Sequence, residues 1–160
     1  DIKQPILLVT YPGKEEEAII RLSRVGYDNT MGYLQGGFDA WKNAGKETET
    51  INRITADEFA NRYLTGKPVV IDVRKKSEFD SQHVVEALNI PLNQINSHLA
   101  QFPKDKPFIL NCAGGYRSMI AASLLKQRGF DNFVDVVGGF TEIAKTDVPT
   151  TNYVCPSTLL

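Results

Sequence analysis

The sequence predicts an open α/β domain whose sheet is mostly parallel and flanked by helices. Short apolar runs alternate along the chain with segments of helical periodicity, which is the order that produces parallel sheets. The run Val69 to Ile71 is apolar throughout, as in a central parallel strand covered on both faces. A second such run, Phe108 to Leu110, leads through a Gly-Gly pair directly into a helical pattern. This order of strand, turn and helix is typical of the sheet edge where α/β domains bind ligands.

Each element follows from a local pattern. Strands are predicted where a short apolar run is bounded by turn residues, and helices where apolar residues recur every three or four positions. Thr55 and Glu58 have the spacing of a capping box at the start of a helix, and Pro103 ends the helix before it. In chain order, the predicted elements are strand 5–10, helix 15–25, a short helix through 40–41, helix 54–64, strand 69–72, a helical turn 77–81, strand 88–90, helix 93–102, strand 107–111, a helix from residue 117 or 118, and strand 133–137.

Part of this order occurs twice. Gly36-Gly37-Phe38 recurs 102 positions later as Gly138-Gly139-Phe140, and Gly26-Tyr27-Asp28-Asn29 recurs 103 positions later as Gly129-Phe130-Asp131-Asn132. Because the matching motifs follow one another in the same order, residues 5 to 45 repeat the second half of a larger unit.

The repeat predicts the domain boundaries. Residues 1–46 are predicted to be the second half of an inactive unit, 47–53 a linker, 54–147 a complete unit and 148–160 a tail. In the first copy, Thr10 stands at the position of Cys112 and Glu15 at that of Arg117. The first copy thus lacks the thiol and carries a negative charge where the second copy has a positive one, so it is predicted to be inactive.

Composition and charge narrow the classes of function. With 42% hydrophobic and 23% charged residues, the chain has the composition of a globular protein. The net charge of −1 offers no basic surface to nucleic acid or an anionic membrane, and no apolar run has the roughly 18 residues of a transmembrane helix. Two cysteines do not make a disulfide framework. The first residues of this sequence do not resemble a signal peptide, and we expect a cytoplasmic protein. Because the sequence begins at Asp1 rather than Met, we expect a part of a longer protein.

The motif that carries chemistry is Cys112-Ala113-Gly114-Gly115-Tyr116-Arg117-Ser118. Consecutive backbone N–H groups in such a turn can converge on one point, and the N-terminus of the following helix adds partial positive charge there. These features stabilise a thiolate, and Arg117 supplies a fixed positive charge suited to an anionic substrate. A lone cysteine is usually a small buried hydrophobe. The turn and Arg117 nevertheless favour a nucleophile at Cys112.

This loop resembles the active-site loop of the rhodanese family of sulfurtransferases. Other segments are similar to that family in the same order, and the resemblance covers about residues 54–147. These segments are Val69 to Arg74, Glu78-Phe79 with His83-Val84, Ala87 to Leu92, and Gly138-Gly139-Phe140. One departure is Glu86, which stands where the family usually has glycine, so the turn there is expected to differ.

The resemblance implies that Cys112 takes sulfane sulfur from thiosulfate or a low-molecular-weight persulfide and passes it to a thiol or to cyanide. Cys112 would be the catalytic nucleophile and Ala113 to Ser118 the substrate-binding loop, with Arg117 orienting the donor. We expect neither a cofactor nor a metal. Rhodanese pairs with one inactive copy also resemble the C-terminal parts of fusions to metallo-β-lactamase-fold persulfide dioxygenases. An upstream domain of that kind is therefore an expected partner. Because residues 1–46 supply only half of a unit, we expect them to pack against the unit 54–147 or to be completed by the same segment of a second chain in a two-fold homodimer.

Two other functions are compatible with the sequence. A non-catalytic sulfur-binding or scaffold module would agree with an inactive first copy, although the intact second loop argues against it. Some rhodanese-fold relatives are phosphatases or resemble arsenate reductases, but those enzymes have five residues between the cysteine and the arginine. Here Ala113 to Tyr116 are four, which leaves a smaller mouth, sized for sulfur rather than for phosphate.

Four residues outside the loop are candidate supporting residues: Asp72, Arg74, Glu78 and His83. An ion pair of Arg74 with Glu78 or Asp72 that braces the loop is favoured over a place for Arg74 at the mouth. His83 is a candidate general base for Cys112, yet a hydrogen-bonded structural role is favoured.

Three further residues carry weaker expectations. Cys155 is a candidate resolving thiol for a Cys112 persulfide, but a role without chemistry is favoured. Trp41 and Phe140 are expected in the core.

Overall fold

The computed structural model describes residues 1–155 and divides the chain into two compact units, Asp1–Thr50 and the residues from Ile51 onward. No helix in this range is long and apolar enough to cross a bilayer. The first unit is formed by β1 (Ile6–Leu8), α1 (Glu15–Ser23), β2 (Thr30–Tyr33) and α2 (Gly37–Asn43). The second unit is formed by β3 (Arg53–Ile54), α3 (Ala56–Gly66), β4 (Val69–Asp72), α4 (Lys76–Ser81), β5 (Leu88–Asn89), two 3₁₀ segments (Leu92–Ser97 and Leu99–Gln101), β6 (Phe108–Asn111), α5 (Tyr116–Gln127), β7 (Phe133–Val136) and α6 (Gly139–Ile143).

The second unit contains a five-stranded parallel sheet with the strand order β3-β7-β6-β4-β5. The predicted α/β fold with a parallel, helix-flanked sheet is therefore confirmed. From β4 the chain moves outward to β5, then returns to place β6 on the other side of β4. The strand order reverses between β4 and β6. In open α/β sheets a ligand crevice forms outside the carboxyl ends of the strands at such a reversal.

Two apolar layers cover the two faces of this sheet. On β4, Ile71 points into the layer that contains α5 and the 3₁₀ segments, whereas Val70 points into the layer that contains α3 and α6. Both side chains are buried, because alternate residues of a strand face opposite sides. A strand buried on both faces must be apolar throughout, which explains why its sequence shows no polar alternation.

The capping box at Thr55 is present. The Thr55 hydroxyl accepts a hydrogen bond from the Glu58 N–H (3.1 Å), and the Glu58 carboxylate accepts one from the Thr55 N–H (2.8 Å). Two N–H groups that would lack a partner at the start of a helix are thereby satisfied. Helix α3 begins at the next residue, Ala56.

The predicted α-helix over 93–102 is wrong, since this stretch is two 3₁₀ segments. It contains asparagines and a serine, whose side chains compete with the helical backbone hydrogen bonds. The Ser97 hydroxyl, for example, donates to the Gln94 carbonyl (2.9 Å). Strand β3 begins at Arg53, inside the predicted linker 47–53. A strand of two residues has no periodicity from which it could be predicted.

The segment that follows Val148 pairs with the chain after α4. The Thr151 N–H donates to the His83 carbonyl (2.9 Å), and the Val154 N–H donates to the Ser81 carbonyl (2.8 Å). Val148 itself is buried. The start of the predicted tail 148–160 is therefore held against the second unit, and residues 156–160 lie outside the described range.

Of the two residues predicted to lie in the core, one is buried. Phe140 is buried, whereas Trp41 is 42% exposed and donates its indole N–H to the Glu47 carbonyl (2.8 Å).

Glu86 has a backbone φ of +64°. This left-handed conformation favours glycine, since a Cβ atom is strained there. The turn is therefore the one that a glycine would form, with a glutamate in its place.

The first unit has the element order of β6, α5, β7 and α6. Strands β1 and β2 pair in parallel, as β6 and β7 do. The Ile6 N–H donates to the Asn29 carbonyl (2.9 Å), and the Phe108 N–H donates to the Asn132 carbonyl (3.1 Å). These pairs lie 102 and 103 positions apart in the sequence, so the sequence repeat coincides with a repeat of backbone hydrogen bonds.

The two glycine pairs also correspond. A Cβ atom at Gly37 would collide with the Thr10 carbonyl, and one at Gly139 would collide with the Cys112 carbonyl. Thr10 therefore occupies the place of Cys112 in its own unit.

One face of the β1–β2 sheet is exposed. Leu7 is 78% exposed and Tyr33 is 52% exposed. Their sequence counterparts, Ile109 and Val136, are buried against the layer that contains α3 and α6. Residues 1–50 contain no helix that corresponds to α3.

Candidate active site

Cys112 is the first residue after β6, at the carboxyl edge of the sheet, and its side chain is 1% exposed. The Gly115 N–H donates a hydrogen bond to Cys112 Sγ (3.1 Å), and the Ser118 Oγ lies within donating distance (3.4 Å). Helix α5 begins at Tyr116, so the sulfur lies at the positive end of a twelve-residue helix dipole. Two donors and a helix N-terminus together direct partial positive charge at this sulfur.

Glycines shape the loop at two points. Gly115 has a φ of +93° and turns the chain into α5. Gly139, at the start of α6, lets that helix approach the loop closely, because any side chain there would collide with the Cys112 and Ala113 carbonyls. Those two carbonyls accept hydrogen bonds from the Phe140 N–H (2.6 Å) and the Thr141 N–H (3.0 Å). With these carbonyl oxygens bound to α6, the loop is held in the shape that places the Gly115 N–H at the sulfur.

Arg117 is fully engaged with Glu78 of α4. Its two terminal nitrogens donate to the two carboxylate oxygens at 2.6 and 2.8 Å. Hydrogen bonds from Arg117 hold the pKa of Glu78 below its ordinary value, although burial opposes this. The same hydrogen bonds raise the pKa of Arg117, with a smaller contribution from Cys112. The pair thus joins α4 to the first turn of α5, beside the nucleophile.

Asp72 and Arg74 form a buried pair at the end of β4. The Arg74 Nε donates to Asp72 Oδ2 (2.8 Å), and its Nη2 donates to the Gln82 carbonyl (2.7 Å). The guanidinium also lies over the Phe140 ring, 4.1 Å from its centroid. Arg74 therefore pairs with Asp72 rather than Glu78 and connects β4, the chain after α4, and α6.

His83 makes its ring contacts with Phe79. Its Nδ1 is 2.6 Å from the Phe79 carbonyl, and its ring stacks on the Phe79 ring at 3.6 Å between centroids. No hydrogen bond joins His83 to Cys112 among residues 1–155. Cys155 is exposed and follows Val154, which is tied to Ser81.

Sequence reasoning missed two charged residues behind the loop, Arg53 and Asp135. The Arg53 Nε donates to Asp135 Oδ2 (2.9 Å), and Asp135 is fully buried. The signal was an aspartate inside the apolar strand Phe133–Val136, since a charge in a buried strand needs a partner. That partner is 82 positions away in the sequence.

A cleft of about 540 Å³ opens next to the loop. Its lining includes the apolar residues Val73 and Leu92 and three cationic residues, Lys75, Lys76 and Arg117. A lining that combines apolar and cationic residues suits a small organic anion.

Known proteins share this fold. The family model described as Rhodanese-like domain matches residues 55–146. An uncharacterised protein of Bacillus subtilis is 37% identical over 87 residues, which are 54% of this chain and 68% of that protein. An Allochromatium vinosum protein named Sulfurtransferase is 26% identical over 100 residues, which are 62% of this chain and 94% of that protein. The crystal structure of a rhodanese-like domain protein from Staphylococcus aureus is 33% identical, has a TM-score of 0.56, and is matched over 62% of this chain and 97% of its own.

Longer proteins match over a smaller share. Two relatives named as adenylyltransferase and sulfurtransferase are matched over only 20% and 22% of their own length. The three relatives that are named as sulfurtransferases support a general sulfurtransferase class.

Proposed function

Because the chain belongs to the rhodanese-like domain family, we propose that it is a sulfurtransferase that acts through a persulfide on Cys112. The donor is thiosulfate or a low-molecular-weight persulfide, and the acceptor is a thiol or cyanide. The observation that carries this proposal is the sulfur of Cys112, which lies at the N-terminus of α5 with hydrogen-bond donors from Gly115 and Ser118.

The reaction has two steps. The Cys112 thiolate attacks the outer sulfur of thiosulfate, a new S–S bond forms, and the old S–S bond breaks with its electron pair leaving on sulfite. Cys112 then carries a persulfide, Cys–S–S⁻. In the second step an acceptor thiolate attacks the terminal sulfur, the S–S bond to Cys112 breaks, and its electron pair restores the Cys112 thiolate. No external oxidant or reductant is needed.

The loop can stabilise both the Cys112 thiolate and the persulfide anion that replaces it. N–H groups aimed at a developing negative charge stabilise it without reorganisation, and the Gly115 N–H already donates a hydrogen bond to the Cys112 sulfur. Bonds from α6 to the Cys112 and Ala113 carbonyls maintain that geometry.

Mass spectrometry tests the proposal directly. Incubation with thiosulfate is expected to add about 32 Da, one sulfur atom, to Cys112. Cys112→Ser should abolish the adduct, and the matched variant Cys155→Ser should keep it. A mass that survives Cys112→Ser, or an adduct on Cys155, would contradict the assignment. A chain that never forms the adduct with thiosulfate or with a small persulfide would fit a scaffold module instead.

We also propose that residues 1–46 are the second half of an inactive rhodanese-like unit. The repeated hydrogen bonds of Asn29 and Asn132 and the equivalent places of Thr10 and Cys112 support it. An upstream metallo-β-lactamase-fold domain in the longer protein is a proposal that rests on the family resemblance alone.

A further inference from the structure

A second groove borders the catalytic loop and has no part in the reaction described above. It has a volume of about 500 Å³ and, among residues 1–155, shares no lining residue with the cleft that contains Lys75. The loop contributes Gly114 and Gly115 to its lining, and α5 contributes the exposed side chains of Tyr116 and Ile120. This volume is several times that of thiosulfate or cyanide, so the groove fits an organic molecule.

Arg53 of β3 is the one cation that lines this groove within the described part of the chain. Its Nε donates to Oδ2 of Asp135 (2.9 Å), which is fully buried, whereas 37% of the Arg53 side chain is exposed. Nη1 and Nη2 of Arg53 donate no hydrogen bond to any residue from 1 to 155. The buried carboxylate therefore fixes the guanidinium through Nε and leaves its terminal nitrogens, the fork that binds carboxylates, unoccupied.

The arginine of the loop motif differs from Arg53 in this respect. Both terminal nitrogens of Arg117 donate to the Glu78 carboxylate. An incoming carboxylate would have to displace Glu78 to bind the Arg117 fork, whereas at Arg53 it can form two parallel hydrogen bonds without displacing another group.

Arg53 also lies close to the reacting sulfur. A Cβ atom at Gly115 would lie 3.3 Å from Arg53 Nη2, and the Gly115 N–H donates to Cys112 Sγ (3.1 Å). A single backbone residue therefore separates the guanidinium from the sulfur. A persulfide extends the Cys112 side chain by one S–S bond, about 2 Å. A short thiol that is bound to Arg53 through a carboxylate is long enough to reach the terminal sulfur.

We propose that Arg53 is a specificity-determining residue that binds the carboxylate of the sulfur acceptor, and that this acceptor is a small organic thiol with a carboxylate rather than cyanide. This inference rests on the proposed Cys112 persulfide. The organic part of the acceptor packs against Tyr116 and Ile120. Its thiolate attacks the terminal sulfur of the persulfide, and the S–S bond to Cys112 breaks with its electron pair on Cys112 Sγ. The acceptor leaves as a persulfide.

A single-turnover experiment tests the proposal. A Cys155→Ser chain is loaded from thiosulfate and freed of donor, and intact mass follows the loss of about 32 Da when an acceptor is added. The acceptors are mercaptopropionate and mercaptoethanol, thiols of similar size with and without a carboxylate. Arg53→Gln alone would leave the buried Asp135 charge without its partner. It is therefore combined with Asp135→Asn and compared with Asp135→Asn alone, in which the amide oxygen can still accept from Arg53 Nε.

We expect loss of the guanidinium to lower the preference for mercaptopropionate over mercaptoethanol about fivefold, the effect of one partly screened charge pair. The rate with mercaptoethanol and the rate of loading from thiosulfate should stay unchanged, since neither uses Arg53. The matched control is Arg128→Gln in the Asp135→Asn chain, which makes the same change at an arginine that bonds to Asn96. It should leave the preference unchanged.

A second measurement needs no sulfur donor. Iodoacetate and iodoacetamide alkylate the same Cys112 sulfur and differ by one carboxylate, so the ratio of their rates reports carboxylate binding beside the sulfur and is independent of the thiolate fraction. The loss of Arg53 should lower this ratio about fivefold as well.

Three outcomes would overturn the proposal. They are an unchanged acceptor preference, an unchanged alkylation ratio, and a loss of thiosulfate loading as large as the loss of transfer, which would assign Arg53 to the donor. If thiosulfate leaves no adduct on Cys112, the proposed function fails, and the alkylation ratio still decides whether Arg53 binds a carboxylate beside Cys112. The two failures are therefore distinguishable.

Discussion

At the scale of a residue, Arg117 has a different partner from the one that its position in the loop motif suggests. The loop motif suggests a cation that is available to an anionic donor. In the folded chain its guanidinium donates two hydrogen bonds to Glu78, which lies on a different helix. The carboxylate balances the charge of Arg117, and the pair holds the first turn of α5 against α4. We infer that Arg117 contributes mainly to the geometry of the loop.

Arg117→Ala should therefore lower sulfur transfer about equally for thiosulfate and for an uncharged persulfide donor. We expect a loss of about tenfold with each, because the partly buried Glu78 carboxylate loses its two arginine donors, keeps only the Lys75 N–H (3.2 Å) among its hydrogen-bond partners in residues 1–155, and the loop loosens. Steady-state rates with both donors measure this. The control is Arg128→Ala, which removes an arginine that donates a hydrogen bond to Asn96. Both residues lie outside the loop, so this substitution should have little effect. A loss confined to thiosulfate would show instead that Arg117 binds the donor charge.

The reversal of strand order between β4 and β6 does most, at the scale of the element, to create the site. It brings the ends of two strands together, and the chain that leaves β4 forms one wall of the cleft beside the loop. Two successive lysines lie on that wall. Lys76 is paired with Asp80 (2.7 Å), whereas Lys75 forms no ion pair among residues 1–155. With Arg117 paired to Glu78, Lys75 is the cation lining the cleft that has no ion-pair partner among the described residues.

Lys75→Gln should weaken the binding of anionic sulfur donors. We expect KM for thiosulfate to rise about fivefold and KM for an uncharged persulfide to stay unchanged, since one partly screened charge contributes about 1 kcal/mol. The maximal rate should be kept, because Lys75 lies outside the loop that holds Cys112. The matched control is Lys76→Gln, which makes the same charge change one position away at a paired lysine. Equal effects of the two variants would assign donor attraction to the general field of the cleft rather than to Lys75.

At the scale of the whole molecule, the first unit leaves one face of its sheet exposed. The exposed face of its two-stranded sheet corresponds to the face that α3 covers in the second unit. Two-stranded sheets are marginally stable by themselves, and a piece of about 50 residues buries too little surface for a secure core. Apolar side chains of this kind on an open sheet invite association. We infer that the exposed face of the β1–β2 sheet is covered in the functional protein.

A second copy of the chain is the partner that can be tested with this protein alone, and we predict a two-fold dimer through residues 1–46. Light scattering should report a dimer, and limited proteolysis should leave this segment intact. Leu7→Lys combined with Tyr33→Lys should weaken the dimer without preventing sulfur uptake by Cys112. Leu64→Lys changes an exposed leucine of the second unit and serves as the control. A monomer whose first 46 residues are cleaved as fast as a disordered peptide would disprove the prediction.

The sequence alone determined the features that depend on neighbours along the chain. The apolar run of β4 predicted its bounds, because strand burial acts over a few residues. The Thr55–Glu58 box predicted the N-cap of α3, although the predicted helix 54–64 wrongly included Ile54, which lies in β3. The loop from Cys112 to Ser118 was readable for the same reason, since a strand, a Gly-Gly turn and a helix start are adjacent in the sequence.

Tertiary structure decided the partners of charged groups. Glu78 and Arg117 are 39 positions apart, and Arg53 and Asp135 are 82 apart. No local pattern can select such pairs, because several oppositely charged residues are available to each and only the strand order brings two of them together. The short strand β3 was missed because two residues carry no period, yet it places Arg53 beside Asp135. Residue types and spacing thus indicated the nucleophile, whereas the network behind it became visible only when the sheet brought distant charges into one buried site.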